Sequence, residues 1–217
     1  MNAAAAVDHL VVAAAELEAG AAWLQERLGV KLADGGRHAA MGTHNRLLRL
    51  GQRCYLELIA IDPAAPPPGR PRWFGLDDPV LQTRLVAHPR LVHWVAGNVN
   101  AERACAACPE PLGELLELAR DSLRWRITVP ADGHLPGDGL LPSLIQWLTP
   151  VHPAERLPDA GCALMKLEGF HPEPVRIRSA LESLGLGAAL AVFPSEPGEA
   201  AGLVAYLETP AGSVELD

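Results

Sequence analysis

Four stretches of this chain cannot lie inside a helix or a strand, and they divide it into a repeating pattern. They are "DPAAPPPGRP" at 62–71, "PADGHLPGDG" at 130–139, "PVHPAERLP" at 150–158 and "PSEPGE" at 194–199. Proline fixes φ and lacks an amide hydrogen, so these segments mark turns and connections. Three blocks remain. The first, 7–61, opens on the strand-like "VDHLVVA", continues with Leu17, Ala21, Leu24 and Leu28 at helical spacing, and stops at Gly29. Two more strands follow, "RLLRL" and "CYLELIAI", separated by "GQ". A Pro-rich connection at 62–90 leads to the second block, 91–149. Its order is the strand "LVHWVA", an Asn100-initiated helix stopped by Pro109, "LGELLELA" (helix or strand), "LRWRITV" and "LLPSLIQWL". The third block, 162–217, gives "CALMKLEG", a helix carrying Ile177, Leu181 and Leu184, then "ALAVF", "GLVAYLE" and "SVEL". A recurring βαβββ unit is the economical reading, and it makes the fold α+β.

Composition narrows the function. Hydrophobic residues make up 49% and charged residues 20% of the 217, as expected for a folded globular protein. The net charge is −8, with 18 basic against 26 acidic residues and no basic run, so neither nucleic acid nor an anionic membrane is the expected partner. Asp8, His9, Glu16 and Glu18 interrupt the apolar N-terminal stretch, so no membrane helix is expected there. No Lys or Arg precedes Arg27, which argues against a signal peptide. Four cysteines are too few for a disulfide framework and suit a reducing cytoplasm. Cys105 and Cys108 share a CxxC spacing but sit in an Ala-rich helix without a second pair, and are read as structural. His88, His134, His152 and His171 lie beside Pro or Gly and are expected in exposed loops.

The polar residues inside the strands raise the functional question. His9 and His93 occupy the first strands of blocks one and two, and Glu57 and Gln146 the last strands. Alternation puts Val7, His9 and Val11 on one face and Tyr55, Glu57 and Ile59 on one face, and sends Asp8 to the face opposite His9. A carboxylate buried between Leu56 and Leu58 must be paired, hydrogen-bonded or bound to a metal. Two imidazoles, a carboxylate and an amide oxygen suit a divalent ion such as Fe, Mn, Ni, Co or Zn. Alternatively, His9 is a core histidine satisfied by a carbonyl or a neighbouring acid.

The opening "DHLVV", the helix and "LGV" over 8–30 resemble the vicinal oxygen chelate superfamily. "GGRHAAMGTHNRLLRLG" at 35–51, "YLELIAID" at 55–62, "WFGLD" at 73–77, "LRWRITVP" at 123–130 and "LLPSLIQW" at 140–147 resemble its bacterial glyoxalase-like branch, and "TPAGSVEL" at 209–216 resembles the closing strand of a superfamily module. The resemblance implies paired βαβββ modules forming curved mixed sheets around a cavity, with metal ligands from the first and last strands of both. His9, Glu57 and His93 match that pattern, and Gln146 takes the fourth position, with Glu215 as its competitor. The third unit departs from it, carrying Met165 and Lys166 where a histidine is expected.

Further candidates surround this set. His38, Thr43, His44 and Asn45 concentrate hydrogen-bonding groups that either face a cavity mouth or form a polar connection. Arg124 and Arg126 share a strand face, placed to hold a substrate carboxylate or to meet solvent. Trp73, Trp94, Trp125 and Trp147 are pocket wall or core. The favoured reading is a metal-dependent lyase, isomerase or dioxygenase acting on a small oxygen-rich molecule, with Glu57 as ligand and base. A metal-free protein that sequesters a small molecule, in the manner of bleomycin resistance, is the alternative, and an interaction module is the third. An odd third unit needs a partner sheet, either within the chain or across a homodimer.

Overall fold

The structure, a computed structural model, describes residues 5–217. The first block folds as β1 (Ala6–Ala13), α1 (Leu17–Leu28), β2 (Ala33–His38), β3 (Thr43–Gly51) and β4 (Cys54–Ile61). The connection carries a short helix, α2 (Pro79–Leu85), capped by Asp78, whose side chain accepts from the Val80 amide at 2.8 Å. The second block gives β5 (Arg90–Gly97), α3 (Ala101–Ala107), β6 (Glu114–Arg120), β7 (Leu123–Val129) and β8 (Ser143–Trp147). A further turn of helix, α4 (Pro153–Arg156), precedes β9 (Ala163–His171), α5 (Pro174–Ser183), β10 (Ala191–Pro194), β11 (Gly202–Thr209) and β12 (Gly212–Leu216).

Blocks one and two build a single eight-stranded sheet in the order β2-β3-β4-β1-β5-β8-β7-β6. Each block pairs its first strand in parallel with its last, β1 with β4 and β5 with β8, and the two halves join antiparallel through β1 and β5. "LGELLELA" resolves as strand, because Leu116 and Leu118 pack inward while Glu114 and Glu117 face water. "ADGGRH", which carries no apolar alternation, is the edge strand β2, held by its ladder to β3.

The two sheet faces carry different cores. Leu10, Val12, Leu56, Leu58, Trp94 and Leu144 pack on one side with α1, α5 and the third block. Val11, Ile59, Val95, Ile127 and Ile145 line the other, together with Trp73 and Phe74 from the connection. Helix α1 ends at Gly29, whose φ of 70° is the left-handed conformation a helix terminus needs.

The third block repeats the element order but not the strand order. Its four strands run β10-β9-β11-β12, so β9 pairs in parallel with the second strand of its unit rather than the fourth. Its inner residues Leu167, Leu203, Ala205 and Leu207 share the core of Trp94, Leu140 and Leu144. The partner sheet that an odd unit requires is therefore supplied within the chain. Among the described residues, no helix is long and apolar enough to cross a membrane.

Candidate active site

The Val11 side of the sheet closes on a small polar pocket. His9 on β1 and Glu57 on β4 both reach it, as strand alternation requires, and both are buried. Asp8 departs from simple alternation. In the β1–β5 ladder Val7 opposes Ala96 and His9 opposes Val95, so Asp8 is an extra residue in a β-bulge. The expected opposite-face placement is thereby corrected: Asp8 Oδ1 lies 2.8 Å from Nδ1 of its neighbour His9.

Asp8 collects three donors. His152 is fully buried rather than exposed; its Nδ1 accepts from the Ala154 amide at 3.2 Å, which leaves the ring proton on Nε2 to donate to Asp8 Oδ2 at 3.0 Å. Trp147 Nε1 donates to the same oxygen at 2.8 Å. Burial raises the Asp8 carboxyl pKa, but the hydrogen bonds from His152 and His9 outweigh it and hold the group down at about 2. An ionised Asp8 fixes the His9 proton on Nδ1. His9 Nε2 faces Glu57 Oε2 at 3.7 Å, and the Tyr55 ring stacks on the imidazole at 4.5 Å.

The pocket has a second polar end. Asn45 on β3 donates from Nδ2 to Glu57 Oε1 at 2.5 Å and accepts at Oδ1 from the Gly36 amide at 2.7 Å. Arg120, the last residue of β6, donates to His38 Nε2 at 3.1 Å and reaches Asn45 Oδ1 at 3.4 Å. Burial keeps His38 neutral, with its pKa lowered to about 4 against the pull of Glu57, and the Arg120 charge adds to that depression. Trp73, Phe74, Trp125 and Trp147 wall the pocket, whose volume is about 30 Å³. Phe74 sits at φ 58°, a left-handed conformation that costs a non-glycine residue roughly 1–3 kcal/mol.

The structure separates the other candidates from the pocket. Thr43 touches only its rim, 3.4 Å from His38 Nδ1. His44 alternates away from it, one residue from the inward Asn45. Trp94 lies in the core of the opposite face and donates to the Leu140 carbonyl at 2.9 Å. Arg124 and Arg126 alternate with Trp125 and point outward, where Arg126 pairs with Glu117 at 3.2 Å. Glu215, Met165 and Lys166 are exposed on the third block. His171 is buried rather than exposed; its Nδ1 accepts from the Glu173 amide at 2.8 Å and its Nε2 lies 3.0 Å from Asp138 Oδ2. A larger groove of about 920 Å³, between α2 and β11, is lined by none of the predicted site residues.

The four residues expected to bind a metal do not converge. Gln146 Oε1 accepts from the Ala101 amide at 3.3 Å, placing its side chain at α3 on the far side of the sheet from the inward Ile145 and Trp147. His93 lies outside the pocket against Phe74, and its Nε2 accepts from the Ser143 amide at 3.0 Å. Only His9 and Glu57 remain as donors, and among the described residues no cluster of three or more His, Cys, Asp or Glu is arranged to hold a metal ion. This donor set does not fit the expected metal.

Asp8, His152 and Arg120 are the site residues that sequence reasoning missed, whereas Trp73 and Trp125 take the pocket-wall place expected of them. The paired glycines Gly35 and Gly36 were the available signal for Arg120: a Cβ on Gly36 would stand 2.8–3.1 Å from the arginine side chain.

A curled α+β sheet enclosing a histidine and a carboxylate defines the class, and the comparisons identify the family. Residues 7–185 match the family described as a glyoxalase-like domain. The chain belongs to this glyoxalase-like family. A hypothetical protein from Staphylococcus aureus shares the fold at 12% identity and a TM-score of 0.58, over 97% of this chain and 84% of that one. A methylmalonyl-CoA epimerase in complex with methylmalonyl-CoA and NH4+ aligns at 15% identity and TM-score 0.46, over 70% of this chain and all of its own. A mutant 4-hydroxymandelate synthase from Streptomyces coelicolor aligns at 19% identity and TM-score 0.42, over 100% of this chain and 63% of its own. No curated protein matches the sequence significantly.

Proposed function

We propose that this protein is an enzyme that moves a proton on a small, oxygen-bearing organic molecule, with His9 and Glu57 as its acid–base pair. The observation that carries this reading is the ordered chain Asp8–His9–Glu57. Asp8 fixes the His9 tautomer, and Nε2 is left to face a buried carboxylate across 3.7 Å. A carboxylate that holds a histidine proton in place both orients the ring and stabilises its charged form once it takes up a proton. Asn45 fixes Glu57 from the other side through its 2.5 Å hydrogen bond. Aromatic walls around the couple exclude water, which strengthens each charge interaction within.

Of the lyase, isomerase and dioxygenase activities that the family resemblance implied, those that turn on proton transfer fit these donors. The metal-free binding reading draws on the same walls: Trp73, Trp125 and Trp147 form an aromatic box that suits sequestration as well as catalysis. Exchange chemistry separates the two. In D2O, the wild type is expected to accelerate deuterium incorporation at the acidic C–H of members of a panel of small 2-oxo and 2-hydroxy compounds, followed by NMR. His9→Gln and Glu57→Gln should each slow it about 10²–10⁴-fold. Exchange unchanged in both variants would remove the couple from the chemistry.

A further inference from the structure

Arg120 is a cation placed beside a carboxylate and kept from it. It lines the same pocket as Glu57, yet its pocket contacts are the neutral acceptors His38 Nε2 and Asn45 Oδ1. Asn45 stands between the two charges, taking Arg120 on its oxygen and giving its nitrogen to Glu57. The guanidinium therefore keeps hydrogen-bonding capacity that no anion among the described residues meets. Trp73, which lines the same pocket and meets the His38 ring edge-on, is 3% exposed, and among the described residues its indole Nε1–H has no partner. A buried donor without a partner is costly, and its persistence on the wall of a polar pocket points to a ligand atom that completes it.

The backbone is shaped around this arrangement. Edge strands β2 and β6 come from different blocks and approach each other where the sheet curls closed. Gly36 leaves the space that the Arg120 side chain crosses, and Gly35 leaves the space that Asn45 fills. A side chain at either position would push into the groups that hold the arginine.

We propose that Arg120 and the Trp73 Nε1–H form a subsite for the carboxylate of a small substrate, with the rest of the molecule extending toward His9 and Glu57. A guanidinium offers two parallel N–H donors to the two oxygens of a carboxylate, and the indole supplies a further donor. The direction of the substrate rests on the proton-transfer reading above; the anion subsite itself does not. Formate is the smallest carboxylate and is therefore the probe for so small a pocket.

The test titrates the wild-type protein with formate, and separately with its neutral relative formamide, at constant ionic strength. It follows the indole N–H resonance of Trp73, assigned by its loss in Trp73→Phe. Formate is expected to shift this resonance saturably, and formamide is not. Arg120→Gln should raise the half-saturating concentration at least about tenfold, Arg120→Lys should weaken binding less, and the outward Arg124→Gln should leave it unchanged. An unperturbed titration in Arg120→Gln, equal binding of formamide, or no saturable shift in the wild type would overturn the subsite. Should Arg120→Gln fail to fold, the formate–formamide comparison on the wild type still decides. Formate binding that survives in His9→Gln, with exchange unaffected by that variant, would retain the subsite and discard the proton-transfer reading. Exchange that depends on His9, with no formate site, would do the reverse.

Discussion

Two ionisable residues of the site, Asp8 and His38, have their pKa values moved by burial and by neighbours from several elements. Asp8 is kept ionised by donors from β1, β8 and α4, and His38 is kept neutral by burial beside a permanent cation. The His38 shift has a consequence for stability. Its folded pKa of about 4 lies below the 6.5 of an unperturbed ring, so between these values the unfolded chain binds the proton and the folded chain does not. The stabilisation is complete above about pH 6.5 and is lost as pH falls toward 4, at up to about 1.4 kcal/mol per pH unit. His93, which burial holds at about 3, loses stability in the same direction. Urea unfolding at pH 7, 6 and 5 should show a pH slope smaller by about that amount in His38→Gln, with His93 still contributing the rest. A slope equal to that of the wild type would mean that His38 takes up protons equally in the folded and unfolded chain.

At the scale of elements, strands with apolar alternation were legible in the sequence and the strands that complete the site were not. β1 and β4 could be read because Leu and Val alternate with the site residues, and that placed His9 and Glu57 on one face. β2 could not, since "ADGGRH" has no apolar side; it is a strand because β3 offers it a ladder, and its glycines serve Asn45 and Arg120. The bulge at Asp8 has no local signature, so strict alternation sent that residue to the wrong face. His152 was placed in an exposed loop because a proline follows it, whereas that proline opens α4 and His152 caps it. Assigning Gln146 by its matching position in the repeat ignored alternation within β8, where Ile145 and Trp147 are the inward residues. The role given to β2 is open to a direct check. A Cβ on Gly35 would lie 2.1 Å from Asn45 Oδ1 and 2.3 Å from the Asn45 backbone oxygen, and the backbone cannot swing aside. Gly35→Ala should therefore destabilise the protein by about 1–3 kcal/mol in urea unfolding. Gly51→Ala, whose Cβ meets nothing closer than 3.6 Å, should cost much less. Equal effects would mean that β2 yields freely at that point.

The whole molecule is two sheets around one shared apolar core, with the pocket on the far face of the larger sheet. The third block packs behind β5 and supplies none of the pocket residues, so its place is to cover the sheet rather than to extend the site. Blocks one and two meet at β1 and β5 in the centre and approach again at β2 and β6, which lets Arg120 from one block complete the pocket of the other. The central claim is that this pocket works through Asp8, His9 and Glu57 themselves. It is tested by measuring deuterium exchange into the best compound of the panel before and after exhaustive dialysis against EDTA, and after adding back Mn, Co, Ni, Zn or Fe. The account expects the wild-type rate to survive chelation and to be lost in His9→Gln whatever metal is present. A rate that falls on chelation to the level of His9→Gln and returns with one of the metals would contradict it.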